Sequence, residues 1–254
     1  MKNENSADNA ERTVLVTGGS RGIGAATCRL AAARGWAVAV NYARDQAAAE
    51  AVVAAIVAAG GKAMAVRADV ASEPEVLAMF EAIDTGLPPL FGLVNNAGVV
   101  DLPSRVDAMS AARLQRMFAI NVFGSFYCAR AALLRMKTRR AGAIVNLSSA
   151  AAKHGAPGQY VDYAAAKGAI DLFTIGLGRE VAADGIRVNA VRPGIIATDI
   201  HASGGTPDRA AEMAPLLPMQ RAGSSEEVAE AIIWLLSDAS SYTTGSIVEV
   251  TGGR

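Results

Sequence analysis

Two cysteines, two histidines and two tryptophans are all that 254 residues contain of those types. Cys28 and Cys128 are too few for a disulfide framework and fit a reducing compartment. His154 and His201 stand alone, without the spacing that metal ligation needs, so no metal is expected. An excess of one charge is missing too. Lys and Arg number 24, as do Asp and Glu, and this balance argues against nucleic acid as a partner. The longest purely apolar run, residues 51–59, has nine residues, where a membrane span needs about 20; no membrane partner is expected. Residues 1–11 are polar and lack the apolar stretch of a signal peptide. They read as a disordered tail on a cytoplasmic protein.

The body of the chain is 52% hydrophobic, which excludes disorder there and is enough for a large core. Short apolar runs alternate with helical patterns. Strands are expected at 13–17, 37–40, 63–67, 91–94, 143–147, 186–191 and 247–250. Helices are expected at 22–34, 45–59, 74–83, 110–136, 159–183 and 226–236. Strand–helix alternation of this kind gives an α/β fold with a doubly wound parallel sheet of about seven strands. With no linker and no repeat, residues 12–254 read as one domain. Residues 201–223 differ: Pro207, Pro215 and Pro218 interrupt any periodicity, and the segment follows a strand end. A substrate lid over about 200–222 is expected there.

The first strand runs into Thr17-Gly18-Gly19-Ser20-Arg21-Gly22-Ile23-Gly24 and then a helix. Glycines permit a tight turn and close backbone approach, and a helix N-terminus offers N–H groups to a pyrophosphate. The spacing G-x-x-x-G-x-G differs from the usual G-x-G-x-x-G fingerprint. Gly18, Ser20, Arg21, Gly22, Ile23 and Gly24 are the expected phosphate contacts. Asp69 and Val70 follow the third strand, where a carboxylate can accept from an adenine amino group. Asn95-Asn96-Ala97-Gly98 follows the fourth. All lie at strand C-termini, the binding edge of open α/β sheets.

The fifth strand ends in Ser148-Ser149. Fourteen residues past Ser149 comes Tyr163, with Lys167 at i+4. On a helix these two share a face. A cation there favours phenolate and lowers the tyrosine pKa, making Tyr163 a proton donor or acceptor near neutral pH. Ser149 can hydrogen-bond a substrate oxygen. Tyr160 has alanine at i+4 and lacks the cation.

Together, Thr17–Gly24, Asn95–Gly98, Asn121, Ser149, Tyr163-Ala164-Ala165-Ala166-Lys167 and Pro193-Gly194 resemble the short-chain dehydrogenase/reductase family, in its short single-domain branch. The likeness covers residues 12–254. It implies a Rossmann-type fold and hydride transfer between a nicotinamide cofactor and a carbonyl or alcohol substrate. Tyr163 would be the acid/base. Lys167 would lower its pKa and bind the nicotinamide ribose. Ser149 would orient the substrate oxygen, and Asn121 would support a water relay to Lys167. Ile196 and Thr198, after Pro193-Gly194, would contact the carboxamide. The interval from Ser149 to Tyr163 is one residue longer than is commonest in the family. The extra residue is expected near 154–158, at the substrate mouth. The likeness is strongest to 3-oxoacyl-carrier-protein reductase-like and glucose-dehydrogenase-like members. It implies a homotetramer built through 110–136, 159–183 and 247–250.

The second strand informs cofactor choice. Twenty residues past Gly22, where NAD enzymes place a carboxylate, stands Tyr42, flanked by Asn41 and Ala43. Arg44 follows, Arg21 lies in the glycine loop, and a guanidinium suits a 2′-phosphate. NADP(H) is therefore expected over NAD(H), with dual specificity as the alternative if both arginines are merely solvated. The competing functions are a sugar or polyol dehydrogenase of the same fold and a non-catalytic dinucleotide sensor; an intact Ser149, Tyr163 and Lys167 favours an enzyme. The basic cluster Arg135, Lys137, Arg139 and Arg140 reads as a solvated helix end, both tryptophans as core, and both cysteines as inert.

Overall fold

A computed structural model describes residues 12–198 and 204–254. The tail 1–11 and residues 200–203 of the expected lid lie outside the described residues. Seven strands form one sheet: β1 Thr13–Val16, β2 Ala37–Tyr42, β3 Ala63–Arg67, β4 Leu90–Asn95, β5 Gly142–Leu147, β6 Ile186–Pro193 and β7 Ile247–Val250. Their order is β3-β2-β1-β4-β5-β6-β7, with every pairing parallel. The strand count and α/β class expected from the sequence hold.

Strand alternation divides the core into two layers. Val14, Val16, Val38, Val40, Val94 and Val145 face one side with Cys28, Val52, Ile232 and Ile233. The helices there are α1 Gly22–Ala33, α2 Gln46–Ala58 and α9 Ser225–Leu236. Leu15, Ala39, Leu93, Ile144 and Val188 face the other side with Phe80, Cys128, Met136 and Val181. That layer holds α3 Glu73–Gly86, α5 Gly124–Arg139 and α7 Val161–Val181. A sheet covered on both faces explains why its strands read as near-continuous apolar runs.

The expected helix 110–136 is not continuous. It comprises α4 Ala111–Phe118, a π turn Ala119–Phe123 and α5. Within the turn, Asn121 is fully buried. Its Nδ2 donates to the Met117 carbonyl and to the Val99 carbonyl, both at 3.0 Å. The side chain thus bonds the i−4 carbonyl that the Asn121 backbone N–H would use in an α-helix, and a side chain inserted into the ladder distorts the helix. By length and composition the run 111–139 could cross a membrane, but Cys128, Ala129, Ala131, Ala132 and Met136 pack into the core.

Smaller elements escaped sequence reading: α6 Ala151–His154, α8 Arg209–Met213 and short 3-10 turns such as Ala214–Leu216. Trp36 is in the core as expected, but Trp234 is 42% exposed. The inward positions of α9 are taken by Val228, Ile232, Ile233, Leu235 and Leu236, which leaves Trp234 on the outer side. Both cysteines are buried and unpaired. Burial pushes the Cys28 thiol far up and that of Cys128 up to about 12, so neither is a nucleophile at neutral pH. The basic cluster is divided among neighbours: Arg135 pairs with Asp84, Lys137 with Asp184, and Arg140 donates to the Ala183 carbonyl.

Candidate active site

Strand order reverses between β1 and β4, which opens a crevice beyond their carboxyl ends. One hydroxyl ties its two walls together. Thr17 Oγ1 donates to the Val94 carbonyl at 3.2 Å and accepts from the backbone N–H groups of Asn96 and Ala97, each at 3.0 Å. Asn96 returns the link, its Nδ2 donating to the Thr17 and Gly18 carbonyls at 2.9 and 3.0 Å. Asn96, expected as a cofactor contact, thus spends its side chain shaping the glycine loop. The motif that contains Thr17 gives this hydroxyl no evident role in the sequence.

The glycine loop has the form a dinucleotide needs. Gly18 has φ +61°, and a Cβ on Gly24 would lie 2.2 Å from the Gly18 carbonyl oxygen, so a side chain there is impossible. The N-terminus of α1 has no side-chain cap, and Arg21 occupies the cap position with an extended backbone. Its leading N–H groups therefore remain available to a pyrophosphate. Asn41 is buried and holds the loop from below: its Oδ1 accepts from the Gly18 N–H at 3.1 Å, and its Nδ2 donates to the Ala68 carbonyl at 3.0 Å.

Around the adenosine end the expected residues divide. Arg21 and Arg44 are exposed, and among the described residues neither has an acidic partner. Tyr42 turns its ring into the core instead. Asp45 is occupied, since its side chain accepts from the Ala48 N–H at 3.0 Å and caps α2. Asp69 is exposed at the end of β3. One of its oxygens accepts from the Ala71 N–H at 3.0 Å. Val70 beside it is buried.

The chemical residues meet in one cavity of about 460 Å³, lined by Gly98, Ser149, Tyr163, Lys167, Gly194 and Ile196 among others. Ser149 stands at the end of β5, and its Oγ accepts from the Ala151 N–H at 3.2 Å. Tyr163 and Lys167 share a face of α7, with Nζ 5.7 Å from the ring centroid. Lys167 is 4% exposed, and Nζ donates to the Leu147 carbonyl at 2.7 Å. Burial lowers its pKa to about 8, opposed by the charge of Asp171 one turn on. An ideal Cβ on Gly98 would lie 2.8 Å from Asn121 Oδ1 and 3.6 Å from Lys167 Nζ. The Asn121 side chain and the Lys167 ammonium therefore flank the same glycine. Thr198 sits against Gly22 across the crevice.

One expectation is corrected. The Lys167 charge does not lower the Tyr163 pKa here. Burial raises it above the usual tyrosine value, and the hydroxyl of Ser149 pulls the other way. The ammonium lies over the ring and donates to the Leu147 carbonyl, and burial of the phenol is the larger influence. The phenol is therefore held protonated at neutral pH.

Two supports carried no sequence signal. Arg113 grips Asp162, the neighbour of Tyr163, through Nε at 2.7 Å and Nη2 at 3.2 Å, and its Nη1 donates to the Leu102 carbonyl at 2.7 Å. Asp162 is 4% exposed. This bidentate pair fixes the first turn of α7 against α4. Beneath the site, Asn95 Nδ2 donates to Asn146 Oδ1 and Asn146 Nδ2 to Thr174 Oγ1, each at 2.9 Å. The loop 154–158, expected at the substrate mouth, lines the cavity through His154, Ala156 and Pro157.

A crevice with a glycine-rich phosphate cradle on one side and a Ser-Tyr-Lys set on the other defines a dinucleotide-dependent α/β oxidoreductase. A family model described as Enoyl-(Acyl carrier protein) reductase matches residues 18–254. An uncharacterized oxidoreductase of Escherichia coli, YgfF, is 54% identical over 94% of this chain and 98% of its own. A 3-oxoacyl-[acyl-carrier-protein] reductase of Synechocystis is 41% identical over 95% and 96%. A 3beta-hydroxysteroid dehydrogenase of Eggerthella lenta is 40% identical over 95% and 93%. The chain belongs to the short-chain dehydrogenase/reductase family, whose cofactor is a nicotinamide dinucleotide.

Proposed function

We propose that the chain is an NADP(H)-preferring ketoreductase that reduces a small carbonyl compound to its alcohol, with Ser149, Tyr163 and Lys167 at the reacting centre. The observation that carries this reading is the convergence of those three side chains on one cavity. When bound, the dinucleotide supplies the hydride. Ser149 holds the carbonyl oxygen, and Tyr163 gives its phenolic proton to that oxygen as the alcohol forms. The raised pKa of Tyr163 keeps that proton in place at neutral pH, which suits the reductive direction. Lys167 binds ribose hydroxyls and reloads the phenol through water near Asn121. The glycine loop and Ser20 receive the pyrophosphate, Asp69 and Val70 the adenine, and Ile196 and Thr198 the carboxamide. Unpartnered Arg21 and Arg44, with Asp45 committed to its helix cap, support a 2′-phosphate over a free ribose hydroxyl.

The described part of the expected lid, residues 204–222 with α8, closes over the substrate. Exposed Phe123 of the π turn, Phe126 of α5 and Leu172 of α7 support a homotetramer. The unpaired cysteines fit the reducing cytoplasm.

A carbonyl panel containing a 3-oxoacyl thioester, an enoyl thioester, a ketosteroid and an aldose, read by loss of reduced-cofactor absorbance, tests the assignment. The expected outcome is ketone reduction favouring NADPH. Tyr163→Phe should then lower kcat by at least about 10²-fold while still binding NADPH. Turnover of the enoyl substrate alone, or normal turnover in Tyr163→Phe, would overturn it.

A further inference from the structure

The charged side chains that line the cavity are of one sign. Among its described lining residues are Lys167, Arg209 and Arg254, and no aspartate or glutamate. Lys167 belongs to the reacting centre, where it also donates to the Leu147 carbonyl, but the arginines are not used by the chemistry described above. Arg209 rises from α8. Its guanidinium lies 5.5 Å from the Tyr160 ring centroid and donates to Gln159 Oε1 at 3.1 Å. Arg254 arrives from the opposite end of the sequence. Thr251 packs on Gly194, whose Cβ would lie 2.8 Å from the Thr251 Cα, and Gly253 approaches Pro218. This turn sets Arg254 into the wall of the cavity.

The two guanidinium groups sense each other. Arg254 is held below the usual arginine value by burial and then by the charge of Arg209. Both are half-buried, and among the described residues neither has a carboxylate partner. The acids of α8, Asp208 and Glu212, are exposed and do not line the cavity. Like charges gathered in a partly desolvated wall are unfavourable until an anion joins them. A guanidinium fork recognises a planar oxyanion through two parallel hydrogen bonds.

We propose that Arg209 and Arg254 anchor the carboxylate of an anionic carbonyl substrate, a compact oxo acid, within the ketoreductase site on which this inference rests. The oxo group would reach Ser149 and Tyr163 while the carboxylate stays at the mouth. Tyr160, which lacks a lysine one turn on, contributes its ring to the Arg209 platform and is a positioning residue for that anchor.

The same fork could instead receive a phosphate of the dinucleotide, and the test separates the two. Turnover of 4-oxopentanoate and 6-oxoheptanoate is compared with that of their methyl esters in the wild type, Arg254→Met, Arg209→Met and Arg254→Lys, together with the Kd of NADPH by fluorescence. The acid-to-ester ratio of kcat/KM should fall about tenfold or more in each Met variant, mainly through KM, as expected on losing a charge-assisted hydrogen bond. The lysine variant should recover part of the ratio. An unchanged ratio overturns the proposal, and so does a weakened NADPH Kd with an unchanged ratio, which would hand the arginines to the cofactor. If no ketone in the set is reduced, the ketoreductase reading fails separately. Calorimetry of 6-oxoheptanoate on the NADP-loaded protein then decides the anion site: binding weakened about tenfold by Arg254→Met supports it, and equal or no binding refutes it.

Discussion

Lys167 shows how a functional residue can work against the fold that holds it. Its folded-state pKa, about 8, lies below that of an exposed lysine. Between about 8 and about 10.4 the unfolded chain binds more protons than the folded one, so stability rises with pH across that window. Below it, the charged group costs the fold roughly 3 kcal/mol net of its bond to the Leu147 carbonyl. Lys167→Met should therefore equal or exceed the wild type in urea denaturation at about pH 7. It should lose the wild type's gain on going to about pH 9.5, and should lose turnover. At the adenosine end, Tyr42→Asp would bury a carboxylate in the core, so cofactor choice is better probed at its exposed neighbours. Ala43→Asp with Arg44→Ala should move the ratio of kcat/KM for NADPH over NADH toward NADH by about tenfold or more. An unmoved ratio would remove Arg44 from the 2′-phosphate site.

Among the elements, helix ends carry much of the function. The N-terminus of α1 is left uncapped, whereas that of α9 is closed by a capping box. Ser224 Oγ accepts from the Glu227 N–H at 3.2 Å, and the Glu227 carboxylate accepts from the Ser224 N–H at 2.8 Å. Arg221 beside it, followed by that backbone bond, pulls the Glu227 pKa down to about 2. The contrast marks which helix end packs and which binds. At the far end of α9, Arg187 donates to the Leu235, Leu236 and Ser237 carbonyls, closing the last turn with a cation. The segment 204–222 is different in kind. Leu216 and Met219 are 74% and 59% exposed, and its short α8 lines the cavity through Arg209 and Met213. Limited proteolysis should cut within it, and NADPH with substrate should slow that cleavage. Equal cleavage with and without ligand would argue that it is a fixed wall.

For the whole molecule, the two core layers leave apolar surface on one flank. Phe126 of α5 stacks on Phe173 of α7 with ring centroids 3.9 Å apart. Phe126, Phe123 and Leu172 remain 46%, 51% and 73% exposed. Clustered exposed apolar side chains on long helices are an association surface more often than a solvent face. Among the described residues strand β7 pairs only with β6, so its other edge is open to extension. Light scattering should report a tetramer. Leu172→Glu with Phe123→Glu should yield smaller species, since charges at the centre of a packed interface cannot be desolvated cheaply. A monomeric wild type would leave this flank without a partner.

The sheet, its two layers and the order of the motifs were legible in the chain because they depend on periodicity and local chemistry. Val14, Val16, Val38 and Val40 announce buried strands by type alone, Gly18 and Gly24 announce a turn no other residue could make, and Tyr163 and Lys167 announce a shared helix face by their interval. Other features needed distant parts of the chain to meet. Arg113 and Asp162 are 49 residues apart, Asn95 and Asn146 are 51 apart, and Arg254 joins Arg209 only after the final turn packs on Gly194 and Pro218. The π turn at Asn121 depends on the Val99 carbonyl arriving from another loop. The Tyr163 pKa also escaped prediction. The interval places Lys167 on its face, but burial decides in which direction the phenol shifts. Spacing fixes which side chains can share a face; desolvation and long-range contacts, which exist only in the folded chain, set their charge and aim.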